Sequence, residues 1–292
     1  MKIVLVANPT AGRGRVPVLV RDLAEHLLAR GATVDVHFTT GPGDAAARVG
    51  ALDAAAYDRL VVVGGDGTLH EAVNGREGPL PWPTTVVPVG TANLVARDAA
   101  IPLRADARTR AGLLLGGTPW PVDLLATDRG RSLAVVGVGI DAEVVRAVAA
   151  VRRGGSGGYA RWLAPIARTF LDYRPPDLVV SVDGGRPIEA GAVVVQNTRC
   201  YGGLFTLSPA AAMDDGAFDV VVLRRAGRRD WFRLLVAAYT GGLSRDRDIL
   251  LLRGTSVSVT SSFPVAVQAD GDPAGTTPLR ISLLPRALTL LR

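Results

Sequence analysis

The chain has 292 residues, of which 48% are hydrophobic and 21% charged, with a formal net charge of +6. This composition can bury a sizeable core and excludes a disordered chain, and the length suits two domains. A single cysteine, Cys200, excludes an internal disulfide and reads as a small buried residue in a reducing cytoplasm, while no apolar run is long enough for a signal peptide or a membrane-spanning helix.

In chain order, Lys2 to Ala7 reads as a strand, and Val16 to Arg30 as an amphipathic helix closed by Gly31. Thr33 to Phe38 alternates as a strand, Asp44 to Ala56 reads as a helix, and Arg59 to Val63 as a buried strand. Leu69 to Asn74 opens a helix, and Thr84 to Val87 is a further strand. Strands alternating with helices across short loops predict a parallel, Rossmann-like α/β domain over residues 1–125. The pattern then changes. Leu133 to Val138, Leu178 to Val182, Gly191 to Gln196, Phe218 to Leu223, Thr255 to Thr260, Val265 to Ala269 and Leu279 to Leu284 are short strands, some separated by turns such as Asp183-Gly184-Gly185. They predict an antiparallel β-sandwich over 126–284. Two helices interrupt it, Tyr159 to Tyr173 after the Gly-rich stretch 152–158, and Asp230 to Thr240 after four arginines, Arg224, Arg225, Arg228 and Arg229. Each has a broad apolar face that would pack on its own sandwich or contact a bilayer.

Basic side chains are almost all arginine, Lys2 being the only lysine. A basic surface would attract anionic lipid or ATP. With 5% aromatic residues and no basic–aromatic interleaving, nucleic-acid binding by stacking is not expected. Asparagine is scarce, and Asn8, Asn74, Asn93 and Asn197 all fall in Gly- or Pro-punctuated loops. Their amides or their turn geometry are expected to be needed there. His26, His37 and His70 read as ordinary structural residues, and the absence of a His/Cys cluster argues against zinc.

The strongest chemical signal is Gly64-Gly65-Asp66-Gly67-Thr68, between a buried strand and a helix. Such a turn aims backbone N–H groups and a helix N-terminus at one spot, which suits phosphate oxygens, and glycines allow the backbone to come close. Asp66 would hold Mg²⁺ directly or through water, and Thr68 would cap the helix or donate to phosphate. Without a Gly-x-x-x-x-Gly-Lys-Ser/Thr string the chain is not a P-loop ATPase, and without Gly-x-Gly-x-x-Gly a dinucleotide oxidoreductase is disfavoured. Asn8-Pro9-Thr10-Ala11-Gly12-Arg13-Gly14 and Pro88-Val89-Gly90-Thr91-Ala92-Asn93 follow other strands. Ligands of open α/β sheets bind at the carboxyl ends of strands, so ATP is expected where these loops meet.

The set Asn-Pro-x-x-Gly, Gly-Gly-Asp-Gly-Thr and Gly-Thr-x-Asn resembles the diacylglycerol kinase catalytic family, which includes bacterial lipid kinases, sphingosine kinases and ceramide kinases. The resemblance continues through Gly137 to Ala142, Asn197, Tyr201-Gly202-Gly203, Ser208-Pro209-Ala210, Asp214, Asp215, Gly216, Asp219 and Asp270-Gly271-Asp272. It implies an ATP-dependent lipid kinase in which residues 285–292 return to the N-terminal domain. Asn8, Thr39 or Thr40, Gly64, Gly65, Asp66, Gly67, Thr68, Glu71, Thr91 and Asn93 would line the ATP site. Asp66 and Asp123 would join a Mg²⁺–water network, and Asp214, Gly216 and Asp219 would carry a structural Mg²⁺. Asp272 would be the catalytic base, with Asp66 the other catalytic carboxylate. Two positions depart from the family pattern. Leu94 stands where Asp is common, with Asp98 one turn later as a substitute, and the last motif ends in Asp272 where Glu is usual. The expected partner is a lipid at the membrane surface, most simply diacylglycerol, with peripheral contact from the cytoplasmic side. A homodimer is compatible with the sequence. An NAD kinase-like soluble-substrate enzyme, which would share Gly-Gly-Asp-Gly-Thr, and a non-catalytic nucleotide or lipid binder remain as alternatives.

Overall fold

The computed structural model describes residues 1–152, 160–203, 205–240 and 246–292. Residues 153–158 of the Gly-rich stretch, Tyr159, and the side chains of Arg152, Trp162, Leu163, Arg228 and Leu235 lie outside the described residues. The chain forms two units, Met1–Leu124 with Pro285–Arg292, and Leu125–Leu284.

In the first unit the elements run β1 (Lys2–Ala7), α1 (Val16–Leu28), β2 (Thr33–Phe38), α2 (Asp44–Gly50), β3 (Arg59–Gly64), α3 (Asp66–Val73), β4 (Thr84–Pro88), α4 (Leu94–Asp98), α5 (Ala107–Gly116) and the start of β5 (Pro119–Thr127). The strands pair in parallel in the order β2-β1-β3-β4. Both faces of β1 and β3 are covered, so their side chains form near-continuous apolar runs. On one face Ile3, Leu5, Val61, Val63 and Val87 pack against Val20, Leu23 and Leu27 of α1 and Leu114 of α5. The helix expected over Asp44 to Ala56 is shorter. It stops at Gly50, which passes so close to Gly75 that a Cβ would meet the Gly75 carbonyl at 2.6 Å. The Asp53 carboxylate then accepts from the Ala55 amide and starts a separate 3₁₀ turn, Ala54–Ala56.

The second unit holds β6 (Gly130–Ser132), β7 (Val135–Val138), α6 (Ile140–Arg152), α7 (Ala160–Asp172), β8 (Leu178–Val182), β9 (Ile188–Ala190), β10 (Ala192–Gln196), β11 (Cys200–Tyr201), β12 (Phe205–Thr206), β13 (Phe218–Leu223), α8 (Arg228–Thr240), β14 (Ile249–Gly254), β15 (Ser256–Ser261), β16 (Ala266–Ala269), β17 (Asp272–Thr276) and the start of β18 (Leu279–Leu291). One antiparallel sheet has the order β14-β13-β10-β7-β16-β17. Opposite it, β15 pairs with β8 and with the first half of β18, and β9 pairs with β8. Val136, Val138, Val193, Val195, Val220 and Val222 of the first sheet meet Val180, Val257, Val259 and Ile281 of the second, which makes a sandwich core. The strand expected at Leu133 to Val138 begins only at Val135, because Leu133 and Ala134 turn their amides to the Asp270 carboxylate. Cys200 is half-buried in a two-stranded ribbon rather than enclosed in a core.

The last strand, β18, belongs to both units. Its early residues pair with β15, and Leu290 pairs with Thr84 at the edge of β4. Pro285 does not end the strand. The chain passes it with Arg286 at φ +51°, and the Arg286 amide finds the buried Asp123 carboxylate at 2.8 Å instead of a ladder partner.

Candidate active site

Because β2, β1, β3 and β4 are adjacent and parallel, the loops that leave their carboxyl ends lie side by side. These loops carry Asn8, Thr39 and Thr40, Gly64 to Thr68, and Thr91 to Asn93, so the topology alone gathers those residues at one edge of the sheet. The chain leaves β1 in opposite directions for β2 and β3, which makes this the switch point at which open α/β sheets bind ligands.

The loops are held in register by backbone bonds, Asn8 N–H to Val63 at 2.9 Å, Thr39 N–H to Ala7 at 2.8 Å and Val89 N–H to Gly64 at 3.0 Å. Two glycines let the third and fourth loops touch along their main chains. A Cβ on Gly90 would meet the Gly65 Cα at 2.6 Å, and one on Gly65 would meet the Gly90 Cα at 3.1 Å. Gly64 is closed against Thr68, where a Cβ would meet the threonine hydroxyl at 2.6 Å. α3 begins at Asp66, so the amides of Asp66, Gly67 and Thr68 lie in the first turn, whose N–H groups have no acceptor within the helix. Glycine-lined backbone, loop amides and a helix N-terminus at one edge fit a polyphosphate.

The side chains separate into scaffolding and surface groups. The Asn8 carbonyl oxygen accepts from the Thr10 amide at 3.0 Å and its hydroxyl at 2.8 Å, while the Asn8 amide donates to Thr68 at 3.4 Å and ties the first loop to the third. Asn93, at φ +49°, accepts from the Gly90 amide at 3.1 Å and donates to the Gly90 carbonyl at 2.8 Å. Its amide is therefore spent on shaping its own loop. Thr40 donates from its amide and hydroxyl to Asp44 at 2.7 and 3.0 Å, which holds the Asp44 carboxyl below its ordinary range. Thr39 is buried, Glu71 half-buried and Thr91 exposed. Asp66 accepts from the Val95 amide at 3.3 Å, one residue past the buried Leu94. Asp123 is buried in the same unit and accepts from Arg286. The four asparagines share a pattern, since Asn74 donates to the His70 carbonyl at the end of α3 and Asn197 donates to the Leu133 carbonyl.

In the second unit Asp214 is exposed, Gly216 turns at φ +75°, and Asp219 is buried on β13, where Ser208 donates to it at 2.9 Å. Burial raises the Asp219 carboxyl against the pull of Ser208. Among the described residues no three His, Cys, Asp or Glu side chains converge. A cation at 214–219 would therefore take backbone carbonyls and water among its ligands, as hard cations do.

Asp272 is half-buried and opens β17 directly after the turn Asp270-Gly271, whose φ values of +50° and +87° suit a two-residue hairpin. Asp270 is buried and fixes that turn. Its carboxylate accepts from Ser132 Oγ at 2.6 Å and from the amides of Leu133, Ala134 and Val135 at 2.8, 2.8 and 3.0 Å. The sequence marked Asp270 only as part of a motif. A second polar group was also missed as a unit. Asp141 accepts from the Tyr201 hydroxyl and from the Gln268 amide, the latter at 2.7 Å, beneath Gly137, where a Cβ would collide with it. Burial raises the Asp141 carboxyl and pushes the Tyr201 hydroxyl well above its ordinary value. The rarity of Gln in this chain was the available signal, since its only two glutamines, Gln196 and Gln268, are both buried in this sheet. Beside it, α6, α7 and the loop at 263–265 border an open cleft of about 760 Å³, lined by Ala147, Pro165, Tyr173, Phe263 and Val265 together with the charged Glu143, Arg168, Asp172 and Arg174.

Residues 2–127 match the model described as the diacylglycerol kinase catalytic domain, and residues 134–292 match the YegS C-terminal NAD kinase beta sandwich-like domain. The chain is 29% identical to a diacylglycerol kinase of Bacillus subtilis over 94% of its own length and 90% of the relative's. It is 30% identical to a probable YegS-like lipid kinase of Pseudomonas aeruginosa over 88% and 84% of the two chains. The crystal structure of a putative diacylglycerol kinase from Bacillus anthracis superposes with a TM-score of 0.82 at 25% identity, covering 99% of this chain and 94% of that one.

Proposed function

Because the chain belongs to the family of diacylglycerol kinases and YegS-like lipid kinases, we propose that it transfers the γ-phosphate of ATP to a lipid hydroxyl, with diacylglycerol the leading acceptor and phosphatidic acid the product. The observation that carries the reading is the convergence of the four strand-end loops, with Gly65 and Gly90 in main-chain contact beside the start of α3. That arrangement supplies amides and positive helix-end potential for phosphate and leaves no bulk in the way. The cleft of the second unit supports a lipid acceptor, since its volume suits an acyl chain and apolar side chains line it beside four charged ones.

In the reaction the lipid oxygen attacks the γ-phosphorus, the bond to the bridging oxygen breaks, and ADP leaves. Asp272 is the proposed base that takes the hydroxyl proton. Mg²⁺ arriving with the nucleotide would offset phosphate charge, with Asp66 and Asp123 as its proposed holders, and Asp214, Gly216 and Asp219 as the proposed structural site. The substrate places the enzyme at the cytoplasmic face of a membrane as a peripheral protein, and among the described residues no helix is long and apolar enough to cross one.

The test is a [γ-³²P]ATP assay with Mg²⁺ and mixed micelles of diacylglycerol, sphingosine, ceramide and phosphatidylglycerol, with NAD⁺ in a parallel tube. Labelled phosphatidic acid is the expected product. Label on NAD⁺, or ATP binding with no labelled lipid, would overturn the reading.

A further inference from the structure

Helix α8 is apolar on two opposite sides. Trp231, Leu234 and Ala238 are buried against the second unit, and the Trp231 ring meets Phe170 of α7 edge-on at 6.3 Å. That face accounts for the packing of the helix. Phe232, Val236 and Tyr239, at i, i+4 and i+7, form a second stripe that is 70%, 46% and 80% exposed. Aromatic side chains this open gain nothing in water, and their helical spacing makes them one surface rather than scattered residues.

The helix and the residues that lead into it are predominantly basic. Residues 224–240 contain five arginines and one aspartate. Arg233 is consumed by Asp246 at 2.6 Å, Asp230 at 3.5 Å and Asp248 at 3.6 Å. Arg224, Arg225 and Arg229 are exposed, and none of them pairs with a carboxylate among the described residues. Asp230, Asp246 and Asp248 share that one guanidinium, so these four groups keep a net charge of −2, while Arg224, Arg225 and Arg229 carry three positive charges outside that cluster, in the lead-in and first turn of α8. Apolar side chains flanked by unpaired cations match a surface that is apolar inside and anionic at its rim.

We propose that the Phe232–Val236–Tyr239 face of α8, with Arg224, Arg225 and Arg229, docks the enzyme on an anionic lipid bilayer. This rests on the lipid-kinase reading, since the acceptor resides in such a bilayer. Phe170 of α7 touches Trp231 of α8, and Pro165 and Thr169 of α7, with Tyr173 just after it, line the cleft, so the docking helix and the cleft share α7 as a common neighbour.

The test is co-sedimentation of the full chain with vesicles of phosphatidylcholine alone or with phosphatidylglycerol added, alongside kinase assays on a short-chain diacylglycerol dispersed below its micelle concentration. The native chain is expected to favour anionic vesicles. Phe232→Ser with Tyr239→Ser should lower partition at least tenfold on them. Arg225→Gln with Arg229→Gln should lower it about fivefold per arginine on anionic vesicles only. Val236→Leu, which adds a methylene and cannot act by unfolding, should raise partition about fourfold. All variants should keep native turnover on the dispersed lipid. Unchanged partition in the aromatic and Val236→Leu variants overturns the proposal. So does a native dimer that the aromatic variant converts to monomer without loss of partition, because the stripe then covers a second copy. If no lipid is phosphorylated but the variants still lose partition, the docking face stands and the substrate reading falls.

Discussion

Asp270→Asn tests whether the motif that carries the proposed base rests on a buried carboxylate. Asp270 takes four donors. One oxygen accepts from Ser132, Ala134 and Val135, and the other accepts from Leu133. Asparagine keeps the shape and one acceptor, so three of the bonds survive as weaker neutral ones. Its NH₂ then faces the Leu133 amide, donor against donor. Stranding one buried donor costs about 1–3 kcal/mol, and charge-assisted bonds are roughly twice as strong as neutral ones. A total near 4 kcal/mol follows, within the about 3–5 kcal/mol of disrupted buried charge networks. For a unit of this size that is a fall of roughly 10 °C in Tm. Scanning calorimetry or far-UV circular dichroism would read it. A variant that melts within 2 °C of native, a threshold of about 1 kcal/mol, would refute the reasoning.

The remaining predictions concern separate steps. Asp272→Asn should leave Tm and ATP affinity near native and lower turnover by about 10²-fold or more, and a loss of only a few-fold in steady-state assays would remove it as the base. Gly90→Ala pushes a Cβ into the Gly65 backbone, so the KM for ATP should rise at least about tenfold, and an unchanged KM would mean that the two loops do not jointly hold phosphate. Burial, opposed by Tyr201 and Gln268, raises the folded-state Asp141 carboxyl above its ordinary 3.8. Such a group adds stability below 3.8 and loses it as pH rises through the folded value. The Tm of the native chain minus that of Asp141→Asn should therefore grow as pH falls from about 7 toward 4, and a flat difference would refute the assignment.

Where the sequence was legible, local chemistry and tertiary context agreed. β1 and β3 are unbroken apolar runs, Gly31 closes α1 at φ +79°, and Asp183-Gly184 turns β8 into β9 with φ of +48° and +69°. The loop Gly64 to Thr68 was legible as a special turn because its glycines answer close contacts that a side chain would not fit. The rest depended on distant partners. α5 was not expected, since Gly112 and a buried Arg110 blur its periodicity. α6 follows a glycine motif that drew the reading to chemistry, and β14 is separated from β15 by Thr255 alone. Pro285 looked like a strand end because proline normally leaves a ladder, and only the Asp123 carboxylate 163 positions earlier shows how the strand continues. Asn93 was expected to line the ATP site, and the amide pairing that ties it to Gly90 is a three-residue matter that spacing does not encode.

The strand β18 has a consequence for how the protein is made. Thr85 waits for the carbonyl of Leu291, 206 residues later, to close the edge of its sheet. At about 5–20 residues per second a ribosome takes roughly 10–40 s to cover that distance. Throughout that interval the first unit has emerged but presents a bare β4 edge, the kind of surface on which nascent chains pair with one another. A translational stop shortly before Leu288 would remove only a few residues and yet leave that edge open permanently, so quality control should treat such a product as a failure of the first unit, not as a trimmed tail.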